Sequence, residues 1–173
     1  MTSIRPAVAT DSAAVTSLAI AAFERYTERI GRPAMPMTLD YATAIADHKV
    51  WLAEVEPPPA VADAEPPPLA LTPAGGPPLG FVLLEEQADA LLLDVVAVAP
   101  DAQGQGVGST LLAFAEEQAR ARGYSRIVLY THEKMTENLA YYPRHGYTET
   151  HREEQHGHRR VHFAKPVPPT GSN

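Results

Sequence analysis

Apolar residues along this chain fall into two kinds of run, one of strand length and one with the helical period. Strand-length runs occupy 3–8, Val50–Val55 (VWLAEV), Gly80–Glu85 (GFVLLE), Ala90–Val98 (ALLLDVVAV) and Ile127–Tyr130 (IVLY). The fourth is almost wholly apolar, as a central strand buried on both faces should be. Helical spacing appears at Val15, Leu18, Ala19, Ala22 and Tyr26, after Thr10, Asp11 and Ser12, whose oxygens suit an N-cap. Gly31 and Pro33 stop that helix near Ile30. Leu39–Ala46 predicts a second helix. Val107–Arg122 predicts a third, with Leu111, Phe114, Ala115 and Ala119 on one side and Gly123 as its stop. Asn138–His145 predicts a short fourth, ended by Gly146. Polar and apolar residues alternate over Tyr147–Lys165 around Gly157, which predicts a terminal hairpin. This order predicts a mixed α/β (α+β) fold with helices on both faces of one sheet.

The 173 residues suit one domain, read as 1–165 with a loose tail at 166–173. Nine prolines between residues 56 and 79 supply few backbone donors, so that stretch reads as a surface loop inserted between two strands. With 45% hydrophobic and 20% charged residues, the composition is that of a globular protein and not of a disordered one. The formal net charge of −7 argues against nucleic acid as a partner and points to a cationic or neutral substrate. There is no cysteine, which excludes thiolate metal sites and cysteine nucleophiles. Neither a secretory leader nor a run of ~20 apolar residues is evident, so no membrane partner is expected and the expected location is cytoplasmic.

The chemistry concentrates where the central strand ends. Residues 96–109 read VAVAPDAQGQGVGS: a buried strand, a loop with alternating glycines, and at once a helix. The first amides of a helix lack internal partners, and its dipole is positive there, so the arrangement suits a pyrophosphate. A mononucleotide P-loop needs Gly-Lys-Ser/Thr, and no lysine is present. A dinucleotide fingerprint counted from Gly104 needs glycine at Ser109 and should follow the first strand.

The pattern Gln-x-x-Gly-x-Gly, five residues beyond Val98, resembles that of the Gcn5-related N-acetyltransferase (GNAT) family. A second match follows in NLAYYPRHGY (138–147): an asparagine, an aromatic–tyrosine pair, and glycine–aromatic four residues after the tyrosine. Element order extends the resemblance over 3–165, while specific motifs lie within 91–147. The resemblance implies a mostly antiparallel sheet with a splay between the fourth and fifth strands. It implies acetyl-coenzyme A (acetyl-CoA) as cosubstrate and no metal, with direct acetyl transfer to a primary amine in a ternary complex. The coenzyme residues it implies are Val96 and Val98, Gln103, Gly104, Gln105, Gly106, Val107, Gly108 and Ser109, and Asn138. Val96 and Val98 would pair main-chain groups with the pantetheine arm, and Tyr142 would protonate the departing thiolate. A packed aromatic is the other reading of Tyr142, because Pro143 biases it away from helical angles. No Lys or Arg lies between Val95 and Ala119, so phosphate binding would rest on amides, assisted by Lys134 or Arg144.

An attacking amine must first lose a proton. Asp94 is the one ionisable residue between Ala90 and Pro100, and strict alternation puts it on the face of Val96 and Val98. It reads either as the base or substrate anchor or as a carboxylate tied to a structural donor; Glu85 and Glu133 are lesser candidates. Phe23 and Tyr26 read as acceptor-pocket or core residues, and Met35 and Met37 as a lid or a packed loop. His132 follows the strand nearest the reaction centre. His156 and His158 flank the hairpin glycine and read as solvated residues in preference to a metal pair. The expected acceptor is a small-molecule or peptide amine, and the expected state a monomer or homodimer. The rival readings are a non-catalytic acyl-CoA module and a transferase using another acyl donor.

Overall fold

The computed structural model describes residues 1–56 and 76–169. Among them seven strands form one sheet: β1 (Thr2–Pro6), β2 (Val50–Val55), β3 (Gly80–Glu86), β4 (Leu91–Val98), β5 (Arg126–His132), β6 (Thr148–Gln155) and β7 (His158–Pro166). Their spatial order is β1-β2-β3-β4-β5-β7-β6, and only β4 and β5 run parallel. Helices α1 (Ser12–Phe23), α2 (Thr27–Ile30) and α3 (Tyr41–Ala46) precede β2; α4 (Val107–Ala121) links β4 to β5, and α5 (Thr136–Arg144) links β5 to β6.

Both faces of the sheet are covered, as the apolar pattern predicts. Val15, Leu18 and Ala19 of α1 and Tyr41 and Ile45 of α3 pack on Leu52, Phe81, Val95 and Ala97. On the other face Leu111, Leu112 and Ala115 of α4 pack on Val82, Leu91, Leu93, Ile127 and Phe163. Each such buried aliphatic side chain is worth about 1.5–3 kcal/mol over the exposed state.

Two features of β4 create the site. The first is the splay: β4 pairs with β5 only through Leu91–Ile127, Leu92–Val128 and Leu93–Leu129, and from Asp94 and Tyr130 onward the two strands part. The second is a bulge. β3 pairs Leu84 with Leu93 and Leu83 with Val95, so Asp94 has no partner residue there. The extra residue reverses the alternation. Leu91 and Leu93 face α4, Val95 and Ala97 face α1 and α3, and Val96 and Val98 face α4 again. Asp94 electrostatically influences Tyr41, a member of the α1/α3 core. It therefore stands on the face opposite Val96 and Val98, which corrects the expectation from strict alternation.

Other departures have local causes. The first helix does not run unbroken to Ile30. It tightens into a 3-10 turn at Glu24–Tyr26, which turns Tyr26 inward to 2% exposure, before α2 and the left-handed Gly31. Asp11 does not cap α1 with its side chain; its carboxylate accepts from the Val8 amide (2.8 Å) and Arg5 Nη1 (2.8 Å). Pro143 does not break the fourth predicted helix, because it falls in the last turn of α5 and Tyr142 stays helical. The chain beyond Pro166 is not loose at its start: Val167 is buried, and its amide donates to the Ser125 carbonyl at 2.9 Å. The proline-rich insertion expected at 56–79 and the tail expected at 166–173 fall, for residues 57–75 and 170–173, outside the described residues. No helix among the described residues is long and apolar enough to cross a membrane.

Candidate active site

The splay opens into a cavity of about 530 Å³ that passes from one face of the sheet to the other. The free edge of β4 forms one wall. The Ala99 amide donates to the Leu79 carbonyl, so the groups of Ala97 and Val95 also point at β3. Those of Val96 and Val98 consequently point into the gap. Gln103 Nε2 donates to the Val98 carbonyl at 3.3 Å, and the Val96 groups and the Val98 amide remain open to a ligand strand.

At the end of that edge the chain turns into α4. Gly104 and Gly106 hold φ of +78° and +84°, conformations that other residues adopt only under strain. Gly106 is the N-cap, and the amides of Val107, Gly108 and Ser109 begin the helix with no partner inside it. Gly108 serves by lacking bulk: a Cβ there would meet the Tyr141 hydroxyl at 2.8 Å. Gly104, Gly106, Gly108 and Ser109 all line the cavity. The glutamines act differently. Gln103 and Gln105 turn their amides back onto the Val98 and Asp101 carbonyls, bracing the loop (3.3 and 3.0 Å), and the Val107 side chain is core.

On the same face Asn138 Nδ2 donates to Thr131 Oγ1 (3.1 Å), which leaves its carbonyl oxygen unengaged. Tyr141 and Tyr142 diverge. Tyr141 runs to the helix end, its hydroxyl against Gly108 and its ring 4.2 Å from that of His145. Tyr142 packs among Tyr141, Tyr147 and Phe163 (5.5–5.8 Å between ring centres) and borders the middle of the cavity. Burial holds the Tyr142 phenol far above the ordinary tyrosine range, and Tyr141 and Tyr26 add to the rise. Arg144 lines the cavity, whereas Lys134 does not.

The opposite face carries Asp94, Tyr130, His132, His158 and Arg160, roofed by Phe23, Tyr26, Met35 and Leu39. Asp94 Oδ1 accepts from the Tyr130 hydroxyl at 2.7 Å. Burial raises the Asp94 carboxyl, and the Tyr130 hydrogen bond opposes that rise. His132 and His158 meet edge-on at 5.7 Å; both are lowered, first by burial, His132 also by His158 and His158 by Arg32. The lesser candidates fall outside this cavity: Glu85 pairs with Lys49 (2.8 Å) and Glu133 with Arg159 (3.4 Å). Of the candidate acceptor residues, Phe23, Tyr26 and Met35 line it. Arg160, in a polar hairpin sequence, carries no signal that would single it out. On the hairpin, one side-chain ligand atom each of His151, Glu153 and His162 lies within 4.8 Å of the others; His151 and His162 stack face to face (4.2 Å, 9°), and His162 Nε2 is 2.9 Å from Glu153 Oε1.

A mixed sheet parted beside a glycine turn, with one cavity reaching both of its faces, defines an arrangement with room for an extended, anion-tipped ligand beside a second molecule. The family model of the acetyltransferase (GNAT) family matches residues 29–147, and the chain belongs to that family. A mycothiol acetyltransferase of Jonesia denitrificans is 37% identical over 91 residues, which make up 51% of this chain and 27% of that protein. The chain thus spans about a quarter of that relative's length. The ribosomal-protein-S18-alanine N-acetyltransferase of Escherichia coli superposes over 100% of this chain and 98% of its own, with a TM-score of 0.70 and 19% identity. The PaiA N-acetyltransferase of Thermoplasma acidophilum, solved in complex with coenzyme A, gives 0.68 and 16% over 96% and 99%. Likeness at these identities establishes the fold.

Proposed function

We propose that this chain is an acetyl-CoA-dependent N-acetyltransferase that moves the acetyl group directly to an amine in a ternary complex. One observation carries the reading. The bulge and splay of β4 put the backbone edge and helix amides on one face of the sheet and the buried carboxylate on the other, with a single cavity joining them. Bound acetyl-CoA would supply an activated carbonyl and a thiol leaving group. The open groups of Val96 and Val98 hold its arm as an added strand, and Asn138 offers a carbonyl oxygen. The amides of Val107, Gly108 and Ser109 face its diphosphate.

An amine of pKa ~10 arrives protonated at pH 7 and must be made neutral. Asp94 is the carboxylate at the mouth of the splay and takes that proton. Its burial makes it a stronger base than a surface aspartate, and the Tyr130 hydroxyl keeps it oriented. Tyr142 gives its proton to the departing sulfur. A phenol held protonated by burial always carries that proton, though it is less well matched to a thiolate than a free tyrosine. The site is built from one chain, whether monomer or homodimer. A cytoplasmic location goes with the use of acyl-CoA.

The reading is tested by calorimetry with acetyl-CoA and then by a screen of amines that detects released thiol. Binding with amine-dependent thiol release is the expected result. Absence of heat with acetyl-CoA would refute the reading. Binding without release to any amine would instead favour a sensing module, and release only with succinyl- or propionyl-CoA would change the donor.

A further inference from the structure

We infer that the acceptor is a small amine that also carries a carboxylate, and that Arg160 holds that carboxylate. This rests on the function proposed above and adds the substrate class.

Arg160 is the residue that the rest of the fold leaves unexplained. It is 9% exposed and lines the acceptor side of the cavity from β7. A buried guanidinium normally has a carboxylate partner, because an uncompensated buried charge is costly. Among the described residues no carboxylate lies within ion-pair distance of it. Its Nη1 donates to Gln155 Oε1 and its Nη2 to the Met35 sulfur (3.0 Å), a weak acceptor. The guanidinium lies over the Tyr130 ring, 4.2 Å from its centre, a cation–π contact. Five N–H groups thus meet two acceptors, one of them poor, beside an open cavity.

The other charges of the cavity sharpen the inference. Glu137 is taken by Arg29, through two bonds of 2.7 and 2.8 Å. Arg25 lines the roof, stacked over Tyr26 at 4.8 Å. Burial lowers His132 and His158, which favours their neutral forms, so they chiefly bring hydrogen-bonding atoms. Among the described residues, Asp94 is thus the one carboxylate of the acceptor side with no cation in ion-pair contact; it feels the charges of Arg160 and Lys49 only from beyond that distance, and it answers the amine. Arg160 and Asp94 sit at the two ends of the same tyrosine: the guanidinium over the Tyr130 ring, the carboxylate on its hydroxyl. Two opposite charges held one tyrosine apart match a small molecule bearing an ammonium and a carboxylate a few atoms from each other. The net charge of −7 suggests the reverse preference, and the local arrangement overrides it.

The test compares free amino acids with their own carboxamides as acceptors, reading thiol release with acetyl-CoA. A charge-assisted pair predicts that kcat/KM for the free acid exceeds that of the amide by roughly tenfold to a hundredfold. Arg160→Gln should bring that ratio close to one, and Arg160→Lys, which keeps the charge without the planar fork, should give an intermediate ratio. Acetyl-CoA affinity, measured by calorimetry, should match wild type in both variants and reports that they are folded. Calorimetry of N-acetylated amino acids on the CoA-loaded protein gives a second readout independent of turnover. Equal use of acids and amides, or a ratio that survives in Arg160→Gln, overturns the inference and leaves the acetyltransferase reading standing. Failure of every free acid as acceptor, together with no binding of N-acetylated acids, overturns it too. Loss of acetyl-CoA binding by wild type would strike the underlying reading instead.

Discussion

Removing the Tyr142 hydroxyl separates a catalytic tyrosine from a packed one, because the structure predicts a loss of activity without a loss of stability. The Tyr142→Phe variant keeps every ring contact, to Tyr141, Tyr147 and Phe163. The hydroxyl donates no hydrogen bond to any described residue, and the residue is 6% exposed where it borders the cavity. Unlike the Tyr147 hydroxyl, that of Tyr142 is not sealed from solvent without a partner, so its removal relieves no buried unsatisfied group. Phenylalanine should therefore leave stability within about 0.5 kcal/mol, a Tm shift of no more than about 2 °C for a domain of this size. A proton donor to the leaving group is worth about 10²–10⁴ in rate, or about 2.7–5.4 kcal/mol of barrier. Single-turnover thiol release should fall by that factor, acetyl-CoA affinity from calorimetry should hold within about twofold, and the melting curve should not move down. A rate within about threefold of wild type would refute the proton-donor role. A Tm loss of several degrees would show that the hydroxyl has a structural partner. Burial also sets a pH expectation: the phenol stays protonated far beyond the ordinary tyrosine range, so kcat should show no alkaline loss from this group up to about pH 10.

Asp94→Asn should cost roughly 10²-fold in kcat/KM at neutral pH. Its effect on stability has the opposite sign. Burial makes the folded protein hold the Asp94 proton more tightly than the unfolded chain does, so stability from this group is present at low pH and lost as pH rises through its raised value. The variant should therefore melt above wild type at pH 7 and alongside it near pH 3, as thermal melts in a pH series will show; no gain at pH 7 would contradict the burial argument. Gly106→Ala forces an L-residue to φ +84° and should lower stability by about 1–2 kcal/mol and weaken acetyl-CoA about tenfold by calorimetry. Gly108→Ala adds a Cβ 2.8 Å from the Tyr141 hydroxyl, so it should displace that ring and weaken coenzyme binding with little loss of stability; unchanged affinity in both variants would remove the glycine turn from the site.

The parts of this molecule that one segment of chain decides by itself are legible in the sequence. The apolar run of β4, the helical stripe of α4 and the glycine-spaced turn between them are local patterns, and the structure has them at residues 91–98 and 107–121. The hairpin follows likewise from alternation around a turn at His156–Gly157, where both residues take positive φ. What stays hidden depends on partners far away. Arg160 reads as one more charged residue in a polar hairpin. It is buried because the segment carrying Met35 folds down over β7, 125 residues apart in sequence. Glu85 and Glu133 look equivalent to Asp94 as carboxylates near strands, but cross-strand neighbours Lys49 and Arg159 engage them away from the cavity. Val167 follows a proline in a tail-like sequence and is nevertheless core, because Ser125 at the start of β5 anchors its amide.

The bulge at Asp94 is the most consequential of these hidden features, since it decides which molecule each β4 residue meets. With unbroken alternation Asp94, Val96 and Val98 would share a face. The carboxylate would then lie beside the coenzyme arm, where it meets no amine and repels a diphosphate-bearing ligand. One inserted residue shifts the parity, leaving Val96 and Val98 with α4 and placing Asp94 beneath α1, next to Tyr130 and the charge of Arg160. The irregularity also helps to end the pairing of β4 with β5 at Leu93, so the gap opens where the two faces exchange roles.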